Sequence, residues 1–213
     1  MGLLFSGSVF AESQLWLWSI EEDEAFFLEQ LNLSSDDLAL LRKYTAPSRR
    51  LEWLASRFVL QQALGRNISI KYDVEGKPLL VGVLGNVSLS HSYGMIAVLY
   101  HPTFSVGVDV ERVSIRPVKV ISRFLDAEEQ YLVAKDDAFE AITRAWCSKE
   151  ALFKLLGQHC YTFMDDFKLT TDIQPTSSEA VFYLKPLGVT QPVFFKTAKD
   201  HVVAYTVNQN SEL

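Results

Sequence analysis

Cysteine is nearly absent: the 213-residue chain has two, Cys147 and Cys160. That is too few for a disulfide framework, and the pair fits buried thiols in a reducing cytoplasm. Long apolar runs are missing as well, and no segment reaches the roughly 20 residues that a bilayer-spanning helix needs. The opening MGLLFSGSVFAES has no positive residue ahead of its short apolar stretch, which Ser6, Gly7 and Ser8 interrupt, so export is not expected. An excess of positive charge is lacking too. The formal net charge is −6; residues 1–105 carry eight Lys/Arg against eleven Asp/Glu, and residues 106–213 twelve against fifteen, so each half contributes −3. A general nucleic-acid binder offers phosphates a basic field, and neither half supplies one. Repeats and low-complexity linkers are absent. With 48% hydrophobic and 22% charged residues the chain can bury one large core or two modest ones.

Helical and strand patterns alternate along the sequence. QLWLWSI (14–20) reads as a strand, and LSSDDLALLRKY as a helix with Ser34 or Ser35 as its cap. The clearest helix is SRRLEWLASRFVLQQALG (48–65), with Ser48 as cap and Gly65 as stop. NISIKYD reads as a strand, EGKPLL as a turn into an extended segment, and NVSLS and MIAVLY as two further strands. Asp126 and Glu129 have the spacing of a capping box, and 136–157 is a long amphipathic helix ending at Gly157. FKLTT, AVFYLKP, QPVFFKT and HVVAYTV return to strand. The pattern predicts an α+β fold whose halves, 1–103 and 104–213, each combine helices with largely antiparallel strands.

Within that pattern VGVDVERV (106–113) is unusual, because a strand that alternates apolar residues carries two acids on its other face. Phe104, Val106, Val108 and Val110 point one way, and Ser105, Gly107, Asp109 and Glu111 the other. Same-face neighbours lie roughly 6.6 Å apart, which suits two carboxylates flanking a hard cation, and Gly107 leaves room for a ligand. Taken alone, the pair fits a solvated strand edge equally well. On the long helix, Glu150 and Lys154 are four residues apart on one stripe, with Trp146 a turn earlier. By themselves they read as a surface salt bridge. Asp109, Glu111 and Glu150 together form a set of hard oxygen ligands suited to Mg²⁺, with phosphate oxygens and water completing its shell. His91, between Ser90 and Ser92, is either a turn histidine or part of a small anion pocket. Lys77, in a Pro-limited extended backbone, offers a point positive charge, and Arg50 and Arg57 share one side of their helix, where a solvated face is the plain alternative. Arg112, Arg116, Lys119 and Arg123 lie within RVSIRPVKVISRF (112–124) with no acid among them; the run reads as a docking surface for an acidic partner, with Val118 and Ile121 adding apolar contact.

GKP (76–78), SLSHS (88–92), GVDVE (107–111) and WCSKEALFKLLG (146–157) resemble, in order and spacing, the signatures of the 4'-phosphopantetheinyl transferases of the surfactin-synthetase-activating class. The resemblance implies a pseudo-twofold pair of similar α+β halves with coenzyme A in the cleft between them. It implies that Asp109, Glu111 and Glu150 hold Mg²⁺, or Mn²⁺ in its place, and that Lys154 and Asp109 approach the coenzyme A phosphates. His91 with Ser90, Lys77, and Arg50 and Arg57, with Arg49 as a further candidate, would meet the nucleotide and its 3'-phosphate. The implied activity is of the holo-[acyl-carrier-protein] synthase type: the phosphopantetheine arm moves from coenzyme A to a serine of an apo acyl or peptidyl carrier protein. Glu150 or a metal-bound water would take the serine proton. The expected setting is cytoplasmic, with no nucleic acid or membrane partner, and a monomer suffices. A Mg²⁺-dependent nucleotide pyrophosphatase, or a non-catalytic module that binds coenzyme A or a carrier, would use the same residues.

Overall fold

The first elements are two strands, β1 (Leu3–Ser8) and β2 (Gln14–Ser19), joined by a one-turn 3-10 segment at Phe10–Glu12. The computed structural model describes residues 2–65, 68–133, 138–157 and 161–208. β1 buries none of its residues, and its Ser- and Gly-containing, solvent-facing composition carries little strand signal. Two short helices follow: α1 (Glu24–Gln30), capped by Asp23, and α2 (Ser35–Leu41), where Ser34 and Asp37 cap each other's backbone N–H groups. α3 (Pro47–Leu64) opens differently from the expectation. Pro47 presets the helical φ of the first turn and Ala46 stands at the cap without a side-chain bond, so Ser48 lies inside the helix. Gly65 ends it in the left-handed conformation, φ 65°.

A two-stranded ribbon comes next, β3 (Ile70–Tyr72) and β4 (Pro78–Leu80), then the hairpin β5 (Asn86–Ser92) and β6 (Met95–His101), and then β7 (Ser105–Arg112). The basic run folds as α4 (Ile115–Lys119) and a 3-10 turn at Ile121–Arg123. α5 (Ala127–Leu132) carries the Asp126–Glu129 capping box, and the long helix is α6 (Ala138–Leu156), with positions 136 and 137 outside the described residues. α7 (Phe163–Asp166), β8 (Phe167–Leu169), β9 (Glu179–Leu184), β10 (Val189–Ala198) and β11 (His201–Asn208) complete the chain. Cys147 is a buried free thiol, and Cys160 lies outside the described residues.

The strands form two larger antiparallel sheets, ordered β1-β2-β6-β5 and β7-β11-β10-β9-β8. The fold is α+β: two similarly built sheet-and-helix subdomains related by pseudo-twofold symmetry. Period-two alternation explains how each sheet is covered on both faces. In β6, Ile96 and Val98 join Phe27, Leu54 and Phe58 of α1 and α3, while Met95, Ala97 and Leu99 turn to the opposite side. There they meet Val106, Val108 and Val110 of β7 and Val203 and Val207 of β11, forming a core between the two sheets. On the far side of the second sheet, Val202 and Ala204 pack with Ala145, Ala151 and Leu155 of α6. Fully burying a side chain of this size contributes about 1.5–3 kcal/mol, so these three clusters hold the sheets and helices in register.

β7 is therefore buried on both faces rather than half exposed. Its Gly107, Asp109 and Glu111 face lies against α6. A Cβ on Gly107 would stand 2.0 Å from the Ala151 carbonyl oxygen and 2.9 Å from the Leu155 nitrogen. Gly107 thus admits the helix backbone, not a ligand as its position beside the acids suggested.

Candidate active site

β5 and β7 are edge strands of different sheets, and where they run side by side serine hydroxyls replace a ladder. Ser88 Oγ accepts from the Val108 N–H at 3.0 Å, Ser90 Oγ donates to Asp109 Oδ1 at 2.7 Å, and Ser92 Oγ donates to Glu111 Oε2 at 2.8 Å. The close approach of α6 brings a cation to the same place. Lys154 Nζ donates to Asp109 Oδ1 at 2.8 Å, to Ser90 Oγ at 3.0 Å and to the Val108 carbonyl at 3.1 Å. Asp109 and Ser90 from the sequence reading are therefore joined directly by Lys154, and Ser90 serves the carboxylate.

The acids strain against one another. Asp109 is 5% exposed, and its Oδ2 is buried with no hydrogen-bond partner. Burial, with repulsion from Asp109 added, raises the Glu111 pKa, although hydrogen bonds from Ser92 and Trp146 oppose the rise. Burial is also the first cause at Glu150, followed by Asp109, and together they lift it to about 7. Such shifts mark carboxylates gathered without enough positive charge. Among the described residues no three His, Cys, Asp or Glu side chains are placed to enclose one metal ion as they stand. The donor chemistry does fit a hard divalent cation: an orphaned carboxylate oxygen and two further acids that resist ionisation, while burial and the charges of Asp109 and Glu111 keep the neighbouring Cys147 thiol protonated.

Lys154 also lines a cavity of about 380 Å³ whose other walls come from α3, the β3–β4 ribbon and β5. The ribbon presents Lys77 there, because Asp73 Oδ1 accepts from the Glu75 and Lys77 N–H groups at 2.9 and 2.8 Å and so holds the turn. Arg57 forms part of the wall, 7% exposed, with its guanidinium 3.6 Å above the Trp53 ring and Nη2 donating to the Tyr72 hydroxyl at 3.3 Å. Burial pulls its pKa below the ordinary arginine value. The Trp53 indole N–H, in the same wall, is buried without a partner. His91 Nδ1 lies 3.1 Å from Glu52, and its ring contacts Arg49. Burial first, then Arg49 and Lys154, bring the His91 pKa down to about 4, so the imidazole is neutral at neutral pH.

The structure thus brings Lys77, His91, Arg57 and Lys154 to one cavity, and Lys154, Ser90, Asp109, Glu111 and Glu150 to its end. Arg50 is not among the cavity-lining residues. Glu24 and the Leu41 carbonyl hold its guanidinium, and Arg49 takes the place at the wall. Glu52 and Lys149 are not among the site residues singled out from the sequence. Lys149, beside Glu150, is fully buried and donates to Glu129 at 2.7 Å and to the Phe124 and Phe163 carbonyls at 2.5 and 2.8 Å. A lysine in the apolar stripe of an amphipathic helix is the one sign that could have pointed to such a pair. In the basic run Arg112, Arg116, Lys119 and Arg123 are exposed, whereas Val118 and Ile121 pack against the core, leaving Ile115, 44% exposed, as the apolar surface there. No helix of the described residues is long and apolar enough to cross a membrane.

Comparison with known proteins bears on this arrangement. A family model described as the 4'-phosphopantetheinyl transferase superfamily matches residues 105–206, the stretch from β7 into β11. The chain is similar to the 4'-phosphopantetheinyl transferase HetI of Nostoc sp., 29% identical over 167 residues, covering 68% of this chain and 69% of the relative. It is also similar to the 4'-phosphopantetheinyl transferase gsp of Aneurinibacillus migulanus, 24% identical over 158 residues, covering 70% of this chain and 64% of that protein.

Proposed function

We infer that the chain belongs to the 4'-phosphopantetheinyl transferase superfamily, and that it moves the phosphopantetheine arm of coenzyme A onto a serine of an apo acyl or peptidyl carrier protein. The observation that carries the reading is the position of Lys154. One ammonium group both lines the cationic cavity and bonds to Asp109 at its end, joining a place for a phosphorylated nucleotide to a cluster of acids.

The nucleotide end of coenzyme A occupies the cavity, where Arg49, Lys77 and Arg57 offset its phosphate charge and the exposed Tyr72 ring provides a flat surface. Asp109, Glu111 and Glu150 hold Mg²⁺, with Mn²⁺ able to replace it. When bound, the cation would offset negative charge on the pyrophosphate and on the departing oxygen. Lys154 supplies a fixed positive charge for the same oxygens. The carrier serine Oγ forms a bond to the β-phosphorus as the bond to the adenosine 3',5'-bisphosphate oxygen breaks. Glu150, held in place by the rigid helix α6, accepts the serine proton directly or through one water. The carrier approaches over the exposed arginines and lysine of α4 and the turn after it, where positive charge offsets the repulsion between an acidic enzyme and an acidic partner. We take residues 1–103 and 104–213 as the two functional halves, the enzyme as a monomer, and the cytoplasm as its setting.

Incubation with coenzyme A, Mg²⁺ and a panel of apo carriers, read by intact mass, tests the proposal. Transfer adds the arm to a carrier. Release of free phosphopantetheine identifies a pyrophosphatase, and no product at all a binding module; either result rejects the transferase reading.

A further inference from the structure

Ser92 is held from three sides. Its carbonyl accepts from His201 Nε2 at 3.0 Å, its hydroxyl accepts from the Arg112 N–H at 3.4 Å, and the same hydroxyl reaches Glu111 Oε2 at 2.8 Å. A backbone N–H can only donate, so the hydroxyl's own proton is directed at the carboxylate. Ser90 repeats the device one pleat away: Lys154 Nζ, also donor only, occupies its lone pair at 3.0 Å, and its proton goes to Asp109 Oδ1. Both serines are 7% exposed, where water cannot replace them as donors. The two hydroxyls belong to one sheet and the two acids to the other, so alternate residues of β5 set the orientation of alternate residues of β7.

We propose that Ser92 is a positioning residue for Glu111: a hydroxyl from the first sheet fixes which way a carboxylate of the second sheet points, and so presets its approach to a divalent cation. The proposal rests on the reading that Asp109, Glu111 and Glu150 hold such a cation. Ser92 itself touches neither cation nor substrate. Its contribution is to take up one carboxylate oxygen and to remove the freedom of the other, as outer-shell partners of metal ligands do.

The isosteric pair Ser92→Thr and Ser92→Val tests this, because both place a β-branched side chain at a strand position and only the first retains a hydroxyl. The probe is Mn²⁺ alone and Mn²⁺ with coenzyme A, followed through the EPR signal of the free ion, with thermal unfolding recorded in parallel. Ser92→Val should bind Mn²⁺ about tenfold or more weakly, the scale of outer-shell losses, and Ser92→Thr should remain within about threefold of wild type on the same scale. Equal affinity for wild type and Ser92→Val would overturn the proposal while leaving the cation reading intact. Equal weakening in both variants would also overturn it, since packing and not the hydroxyl would then be responsible. If wild type holds Mn²⁺ no better than Glu111→Gln, the cation reading fails and takes the proposal with it.

Discussion

Replacing Gly107 by alanine should damage stability and transfer together, through the seam between β7 and α6. The added Cβ would lie 2.0 Å from the Ala151 carbonyl oxygen, 2.9 Å from the Leu155 nitrogen and 3.0 Å from the Ala151 carbonyl carbon. All three are helix backbone atoms and cannot rotate away. Non-bonded carbon contacts are comfortable at roughly 3.5 Å, so the helix must retreat by at least about 1 Å. Overpacking of a dense core costs about 1–3 kcal/mol, and the upper end applies where only backbone can yield. The same retreat separates Lys154 and Glu150 on α6 from Asp109 and Glu111 on β7, and stretches the 2.8 Å bond between Lys154 and Asp109. A displacement of that size in a reacting constellation can lower the rate by about 100-fold. Urea unfolding would give the stability change and mass-resolved transfer the rate. Coenzyme A affinity, by calorimetry, should fall much less, since α3, β4 and β5 line most of the cavity. A variant within about 0.5 kcal/mol of wild type, with a transfer rate unchanged, would refute both the packing role of Gly107 and the claim that this seam sets the site.

Further outcomes follow from other parts of the molecule. Lys149→Met removes the cation that faces the buried Glu129 carboxylate, which keeps only the Leu169 and Asp126 N–H donors, and leaves the Phe124 and Phe163 carbonyls without the ammonium; it should cost about 3–5 kcal/mol by denaturant unfolding. Adding Glu129→Gln should recover at least about 1 kcal/mol through the coupling of the pair; simple additivity would argue against an energetic pair. The His91 pKa is depressed from 6.5 to about 4, so its native state resists protonation. The stability it contributes is fully present above pH 6.5 and is lost as pH falls toward 4. An NMR titration should find the ring neutral at about pH 5.5, whereas a midpoint above about 6 would contradict its burial against Arg49 and Lys154. Charge reversal at Arg116 or Lys119 should raise the carrier KM and flatten its salt dependence with little change in the coenzyme A KM. Equal effects on both substrates would place the docking surface elsewhere.

Much of this architecture could be read from periodicity. The two long helices, most strands after β1 and the stopping glycines Gly65 and Gly157 follow from spacing and backbone chemistry, and the Ser34 cap and the Asp126–Glu129 capping box from residue type. Tertiary packing decided the rest. His91 between Ser90 and Ser92 suggests an anion pocket, but the sequence cannot reveal that β7 lies beside β5 and takes up the hydroxyls of Ser88, Ser90 and Ser92. Nothing local to Gly107 signals that α6 covers the face it shares with Asp109, so the sequence presents that face as open. Arg49 and Arg50 are adjacent and equivalent in charge. Only the position of Glu24, 26 residues earlier, assigns one to a surface pair and leaves the other at the cavity wall. Lys149 and Glu129 each satisfied a local pattern, one in a helix and one in a cap, and their pairing is visible only when α5 and α6 pack.

Single-turnover arm transfer by Asp109→Ala in saturating Mg²⁺ tests most directly whether the Asp109–Lys154 junction is the reacting site. Asp109 unites the two sheets through Ser90, anchors Lys154, and has a buried oxygen without a partner. Its removal also relieves the repulsion that Glu111 and Glu150 feel, so the fold should survive. Asp109→Ala should give a folded protein that retains coenzyme A in its cavity and transfers the arm at least about 1000-fold more slowly, a loss of roughly 4 kcal/mol in transition-state stabilisation. Transfer by the folded variant at close to the wild-type rate would contradict that role for the junction.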